Sequence, residues 1–482
     1  MRRILNASRA RNIFAALVTG ALLIGCDSVK TALLEAPDPD IIDPANVQSP
    51  AGANGVRLGA LAQLRLMTTG SGNAGTEGTW LVGGLLGDEW STSSTFVQND
   101  EADERQISLS NSTVSGSLRA IYRTITASSQ AIALLNKWRP TPSSDIAEMY
   151  FSRGFAQLQL ASDFCNGIPL ADVAGDQVLL GKPLSNAEVF TIAAASFDTA
   201  VQMTSATDAA TVAINRAARI GRARAFLGLA KFPEAAALVA GIPTTYTYTV
   251  TSSLTGGNNG VWNQGASQRR YTVGDSMEGN AHDIFVKNAI PFYSAKDPRL
   301  PVAYTISTNG KDTTKSQDGI TFSRTTALYG QTSAMAVVNG IDARLIEAEA
   351  ALKANPNDAT SMLAILNALR ATPIQLVAPS PTASGTHPGL TTPAMAALND
   401  PGTPDSRLDL LFREKAFWTF SRGQRLGDMR RLIRQYGRTA AQVFPIGHHY
   451  RGADYGVDVN LPITTDEKNG NPNFSQCTDR NA

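Results

Sequence analysis

Histidine and cysteine are scarce in this chain of 482 residues, at 4 and 3 copies, and an excess of either charge is missing: 42 Lys and Arg face 41 Asp and Glu. Three cysteines exclude a disulfide-stapled mini-fold and offer no cluster for a structural zinc. A formal charge of +1 leaves no basic stripe for neutralising phosphates, which excludes a nucleic-acid partner, and it equally excludes an acidic solvating chain. Beyond the N-terminal segment, no apolar run approaches a membrane span. What remains is a globular composition, 43% hydrophobic, with length for about three domain-sized units, separate or fused.

The first residues address the compartment. Arg2, Arg3, Arg9 and Arg11 form a basic start without an acid, and the apolar stretch from Ile13 to Ile24 follows. That stretch suits the core of a signal peptide and falls short of the roughly 20 residues of a spanning helix. It ends in Leu23-Ile24-Gly25-Cys26, a small residue directly ahead of a cysteine, which resembles a bacterial lipobox. Residues 1–25 therefore read as a lipoprotein signal peptide with Cys26 as the lipidated residue; the rival is an ordinary secretory signal. Two or more acyl chains hold a protein stably, at about 0.8 kcal/mol per buried methylene, where one is marginal. Loss of residues 1–25 removes four Arg and no acid, turning the balance slightly negative. Residues 26–52 are rich in Pro and Asp and poor in periodic apolar residues, the composition of a semi-extended tether. Asp38, Asp40 and Asp43 lack the turn Gly and distal Glu of a calcium loop.

Residues 53–482 read as a single, mainly α unit: a tetratricopeptide-like scaffold of helical pairs with a loop-rich insertion containing short strands. Its N-terminal helical part covers about 53–245, the insertion about 246–332 and the C-terminal part about 333–482. Helices are predicted from Val56 to Thr68, through Leu118, Ile121, Ile125, Ile132 and Leu135 to before Pro140, through Ile146 to Leu160, and through Val189 to Val201. Residues 212–240 read as a pair broken near Pro233, whose small residues allow close approach. From Tyr246 to Thr332, Thr, Ser, Gly, Asn and aromatics take over. Helical spacing returns at Met335 to Ala354, Ala359 to Ala371 and Ser406 to about Arg434, with a Pro/Thr/Ser loop over 372–404.

The search for catalytic and cofactor motifs yields little. Gly70-Ser-Gly-Asn-Ala-Gly75 has dinucleotide spacing but follows a helix rather than a strand, and Gly175 to Lys182 has one residue too many for a phosphate loop. No cofactor or metal site is expected. His448 and His449 would diverge on a helix or a strand. Asp88 and Glu89 are the acid pair worth testing for glycoside hydrolysis, although adjacent carboxylates rarely converge on one bond. Cys165 and Cys477 either pair or stay as buried thiols.

Gly423-Gln-Arg425-Leu-Gly-Asp428-Met-Arg-Arg431 resembles the G-x-R-x-x-D-x-x-R signature of the SusD/RagB family, surface lipoproteins of nutrient uptake. Leu345-Ile-Glu-Ala-Glu-Ala350, Leu366-Asn367-Ala-Leu-Arg370 and the closing run Leu461-Pro462-Ile463, Glu467 and Asn471-Pro472-Asn473 resemble its other segments, in order. The family's Glu before the glycine is Arg422 here, and its Glu-Arg pair is reversed as Arg413-Glu414. On a helix Arg425 and Asp428 would face one another, with Arg431 a further step along, a pattern that reads as pinning the last helix.

The resemblance implies a non-catalytic binding protein of the cell outer membrane. It would capture an oligo- or polysaccharide, or a peptide, and deliver it to a SusC-like TonB-dependent transporter. Sugars stack on aromatic faces with polar groups at the rim, so the expected ligand contacts are Trp80, Trp90, Trp262, Asn263, Arg269 and Tyr271. Trp138 and Trp418 lie on apolar helical patterns and read as core. The alternatives are a helical-repeat scaffold lipoprotein of outer-membrane assembly and a surface glycan hydrolase.

Overall fold

The structure is a computed structural model and describes residues 47–71, 77–174, 177–307, 309–310 and 313–482. The expected leader of 1–25, Cys26 and most of the expected tether of 26–52 lie outside the described residues, as do parts of the Gly70–Gly75 and Gly175–Lys182 segments. The chain divides into a unit Met1–Gly52 and a unit Ala53–Ala482, and the second carries the core and the site.

Helices α1 (Pro50–Thr69), α2 (Thr79–Leu86) and α3 (Val97–Asp103) come first. Helix α4 (Ser112–Trp138) starts where the Asn111 side chain accepts from the Val114 N–H, satisfying a donor that the first turn leaves free. It buries Val114, Leu118, Ile121, Ile125, Ile132 and Leu135 along one stripe. Helices α5 (Ser143–Asp163), α6 (Asn186–Gln202), α7 (Val212–Gly228) and α8 (Phe232–Val239) then pack each on its predecessor. Ser185 and Glu188 form a capping box on α6, and Pro233 occupies the first turn of α8, where no N–H is needed. Close approach of α6 and α7 rests on Gly221, where a Cβ would lie 2.4 Å from Phe197 Cε1. Helices α9 (Gly340–Ala354) and α10 (Thr360–Ala371) extend the series, α9 against α8 and α10 against α9.

Two expected helices are interrupted. Met335–Asn339 is a strand, antiparallel to Thr247–Val250, before the Asn339 side chain caps α9 in a capping box with Asp342. The β-branched pair Val337 and Val338 is fully buried in that strand, and Asn339-Gly340 supplies the break. The helix expected over Ser406–Arg434 is two: α11 (Pro404–Trp418) and α12 (Arg425–Tyr436). Ser421 at φ 57° and Gly423 at φ 63° adopt left-handed backbone between them, which a right-handed helix cannot include. The 372–404 loop holds two small strand pairs, Gln375–Val377 with Leu390–Thr391 and Ser380–Thr382 with Gly385–His387.

The insertion is built from short antiparallel pairs. Trp90–Thr92 pairs with Tyr271–Val273, which joins the insertion to the segment between α2 and α3. Met277–Glu278 pairs with Ile284–Phe285, and Val302–Tyr304 with Arg324–Thr326. Cys165 and Cys477 form a disulfide, tying the end of α5 to the C-terminal segment. Among the described residues, no helix is long and apolar enough to cross a membrane.

Candidate functional site

The signature residues form a buried charge lattice under the loop-rich layer. Glu349 of α9 accepts from Lys415 Nζ of α11 at 2.7 Å, from Arg431 Nη2 of α12 at 2.9 Å and from the Tyr436 hydroxyl at 2.7 Å. Asp428 accepts from Lys415 at 2.9 Å and from Arg431 at 2.6 Å. Burial opposes ionisation of Glu349, yet the Arg431 and Lys415 charges outweigh it and hold the carboxyl well below the usual range. Arg422, where the resembled signature carries an acid, makes a bidentate pair with Asp342 at 3.0 and 2.7 Å. Arg370 of α10 and the fully buried Arg299 both donate to Glu414, at 3.0 and 2.7 Å. The expected Arg425–Asp428 pairing is replaced: Asp428 takes Arg431 and Lys415, while Arg425 Nε donates to the Gly87 carbonyl at 3.3 Å.

Trp80, Trp90 and Tyr271, expected to face ligand, are instead fully buried. Trp80 lies under Gly423, where a Cβ would fall 2.0 Å from Trp80 Cδ1. Trp90 packs on Phe420 at 5.1 Å between centroids and donates from Nε1 to the Ser421 hydroxyl at 3.2 Å. Tyr271 meets Trp90 edge-on at 6.3 Å, and its hydroxyl donates to Glu77. These rings support the signature turn and offer no face to a sugar. Asn263 is also buried, at the start of a π-helical turn, Asn263–Ser267. Trp262 is half-buried, and so is Arg269, whose carbonyl accepts from Ser93 Oγ and the Gln317 N–H. Trp418 is core, as expected, whereas Trp138 is only half-buried.

The acid pair is closed to solvent. Asp88 and Glu89 are each 1% exposed, Glu89 accepting from the Ser421 N–H at 2.9 Å. Burial pushes the Glu89 carboxyl up to about 8 and raises Asp88 as well. His449 is buried, with Nε2 3.1 Å from Asp103, while His448 is exposed.

The insertion brings together rings that sequence reasoning missed. His282 stacks on Tyr293 at 5.6 Å and 20°, Tyr293 meets Tyr304 at 5.2 Å, and Tyr304 meets Phe322 edge-on at 6.5 Å. The Met277 carbonyl can only accept, which places the His282 proton on Nδ1, so Nε2 accepts from the Tyr304 hydroxyl. Asn280 holds the neighbouring hairpin by donating to the Ile320 carbonyl and accepting from the Phe322 N–H, at 2.9 and 2.7 Å. Phe285 is 65% exposed on the hairpin below His282, and Ile320 is exposed at the next tip. A cleft of about 410 Å³ opens beside Lys296, Asp297, Val302 and Thr325. His282, Tyr293 and Tyr304 recur at intervals of 11 residues, but in a stretch without helical or strand patterning; the signal that composition offered was the aromatic content of 246–332. A separate concavity of about 770 Å³ lies between α9, α10 and Thr244–Thr249, with the self-paired Arg344 and Glu347 on its wall.

No protein-family model matches the chain, and no curated protein matches it. Solved structures do. A SusD-like carbohydrate-binding protein from Bacteroides fragilis is 15% identical, covering 89% of this chain and 99% of its own, with a TM-score of 0.60. A SusD superfamily protein from Bacteroides vulgatus is 15% identical over 89% of this chain and 99% of its own, with a TM-score of 0.58. Surface glycan-binding protein A from Bacteroides uniformis is 14% identical over 89% and 99%, also with a TM-score of 0.58. The fold of this chain is SusD-like and mainly α-helical.

Proposed function

We propose, from the SusD-like fold as premise, that this chain is a nutrient-binding lipoprotein of the outer-membrane surface, capturing a glycan on its loop-rich face. Processing at Cys26 would leave it lipid-anchored behind the Pro/Asp tether of 26–52, and a SusC-like TonB-dependent transporter would receive the cargo. Binding without catalysis is the reading, since Asp88 and Glu89 are sealed in the core. The observation that carries it is the ring row His282, Tyr293, Tyr304 and Phe322, flanked by exposed Phe285 and a cleft, on a scaffold shared with carbohydrate-binding proteins. Loops on a rigid scaffold, with aromatic surface and polar rims, suit a saccharide chain. Trp262 and Arg269, both half-buried, stay as contacts from the original set.

Calorimetric titration against a glycan panel tests the face. Phe285→Ala or Trp262→Ala should weaken the best ligand by about tenfold with the circular dichroism spectrum unchanged. Unchanged affinity in both variants would move the site elsewhere. Co-purification from detergent-solubilised outer membrane tests the transporter.

A further inference from the structure

Three rings of the loop-rich face each carry a cation. Lys296 Nζ lies 3.3 Å from the centroid of Tyr293, Lys315 Nζ 3.8 Å from that of Phe322, and the Arg270 guanidinium carbon 4.2 Å from that of Phe96. The negative face of an aromatic ring attracts a cation, so these heads are held in place instead of sweeping through solvent. Their hydrogen bonds go to neutral groups: Lys315 Nζ donates to the Ile320 carbonyl at 2.7 Å, and Arg270 Nη1 to Ser94 Oγ at 3.3 Å. Among the described residues, none of the three lies within ion-pair distance of a carboxylate, because the acids around them are engaged. Asp297 pairs with Arg299, Asp318 and Asp100 with Arg451, and Glu278 is buried beside Arg324; Glu77, the buried carboxyl that feels the Arg270 charge, accepts from Tyr271 and Asn99. Asp283, in the turn of the Met277–Phe285 hairpin, is the exposed acid. The contrast with the interior is sharp: Lys415, Arg422 and Arg431 each have a carboxylate partner.

The segments that bear the three cations are joined. Ser93 Oγ and the Gln317 N–H both donate to the Arg269 carbonyl, and the Asp318 N–H donates to the Ser93 carbonyl. Segments 93–96, 269–270 and 315–322 are thereby bound together, and the row Tyr293, Tyr304, Phe322 links them to Lys296. A neutral sugar stacking on Tyr293, which also carries His282, or on the Lys315 side of Phe322 would have to displace an ammonium group. An acidic sugar would use it, its anionic group meeting the held cation while its C–H face packs on Phe285 or Ile320.

We propose that this face selects acidic glycans, bearing carboxylate or sulfate ester groups, and that Lys296, Lys315 and Arg270 determine that specificity. The proposal rests on the glycan-binding reading above. Titration of the purified protein with polygalacturonate, chondroitin sulfate, dextran and poly-L-glutamate tests it. At low salt an acidic glycan should bind at least about tenfold more tightly than dextran, with the preference shrinking as salt rises. Which acidic polymer binds distinguishes carboxylate from sulfate. The triple variant Lys296→Gln, Lys315→Gln, Arg270→Gln should lose about tenfold or more for that polymer at unchanged Tm. Should the triple variant misfold, the single Lys296→Gln and Lys315→Gln proteins carry the comparison. Dextran bound as tightly as the acidic glycans, or wild-type affinity in the variants, overturns the acidic class and leaves the glycan reading standing. Poly-L-glutamate bound as tightly as either acidic glycan, or no glycan bound at all, overturns both.

Discussion

At the scale of single residues, Gly423 shows how a signature position is enforced. Its φ of 63° is left-handed, and a Cβ would sit 2.0 Å from Trp80 Cδ1, so both backbone and packing demand glycine. Gly423→Ala should cost roughly 2–4 kcal/mol, read as a lowered urea midpoint at unchanged slope. The same contact explains why Trp80 was misassigned. A tryptophan in a Gly/Thr/Ser-rich stretch has the composition of a ligand contact, but its neighbour in space comes from the far end of the chain. Arg422 is similar: its departure from the acid of the resembled signature becomes intelligible once Asp342 is seen to hold it in a bidentate pair.

At the scale of elements, α9, α10, α11 and α12 are locked by carboxylates that each serve more than one cation. Glu349 joins α9 to α11 and α12, while Glu414 joins α11 to Arg370 of α10 and to Arg299. The other lock is covalent. Cys165 follows α5 and Cys477 lies in the C-terminal segment, 312 residues later. Phe164 and Cys165 also meet Leu461 through backbone, so this segment is laid against the helical body, and Leu461, Ile463 and Phe474 are buried. Replacing both cysteines by Ser should destabilise the protein by about 2–5 kcal/mol. Hydrogen exchange should quicken first in 459–482, and reductant should lower the Tm of wild type but not of the variant.

At the scale of the whole molecule, buried carboxyls of two kinds give stability opposing dependences on pH. Burial pushes Glu89 up to about 8 and Asp163 up to about 7. The unfolded chain ionises Glu89 near its ordinary 4.5 while the native state keeps the proton, so its contribution is full below 4.5 and is lost as pH rises through about 8. Glu349 and Asp342 are shifted downward by their Arg and Lys partners, so their contribution is present above the ordinary carboxylate range and is lost in acid. Glu89→Gln keeps the acceptor for the Ser421 N–H and removes the ionisation. It should raise stability at pH 8 by roughly 4 kcal/mol and change pH 5 much less, as urea midpoints at the two values would show.

Much of the architecture was legible because its causes are local. The apolar stripe of α4, the pairing of α7 and α8 and the order of the signature segments depend on residues a few positions apart. The breaks at Asn339 and over 419–424 were missed because apolar spacing continues across them while the caps and left-handed turns do not announce themselves. The candidate site was legible only as a region. Composition marked 246–332 as loop-rich and aromatic, and of the contacts expected there Trp262 and Arg269 are half-buried while Asn263 and Tyr271 are buried. Whether a ring lies beneath a turn, as Trp90 does against Phe420, or in a surface row, as Tyr304 does against Phe322, depends on contacts between distant segments. Residue order determined most of the helices and the resemblance to the SusD/RagB signature, since hydrogen bonding and hydrophobic periodicity act over a few residues. Tertiary structure alone decided which aromatics are core and which cations lack acid partners, because burial and charge pairing are set by whatever the fold brings alongside.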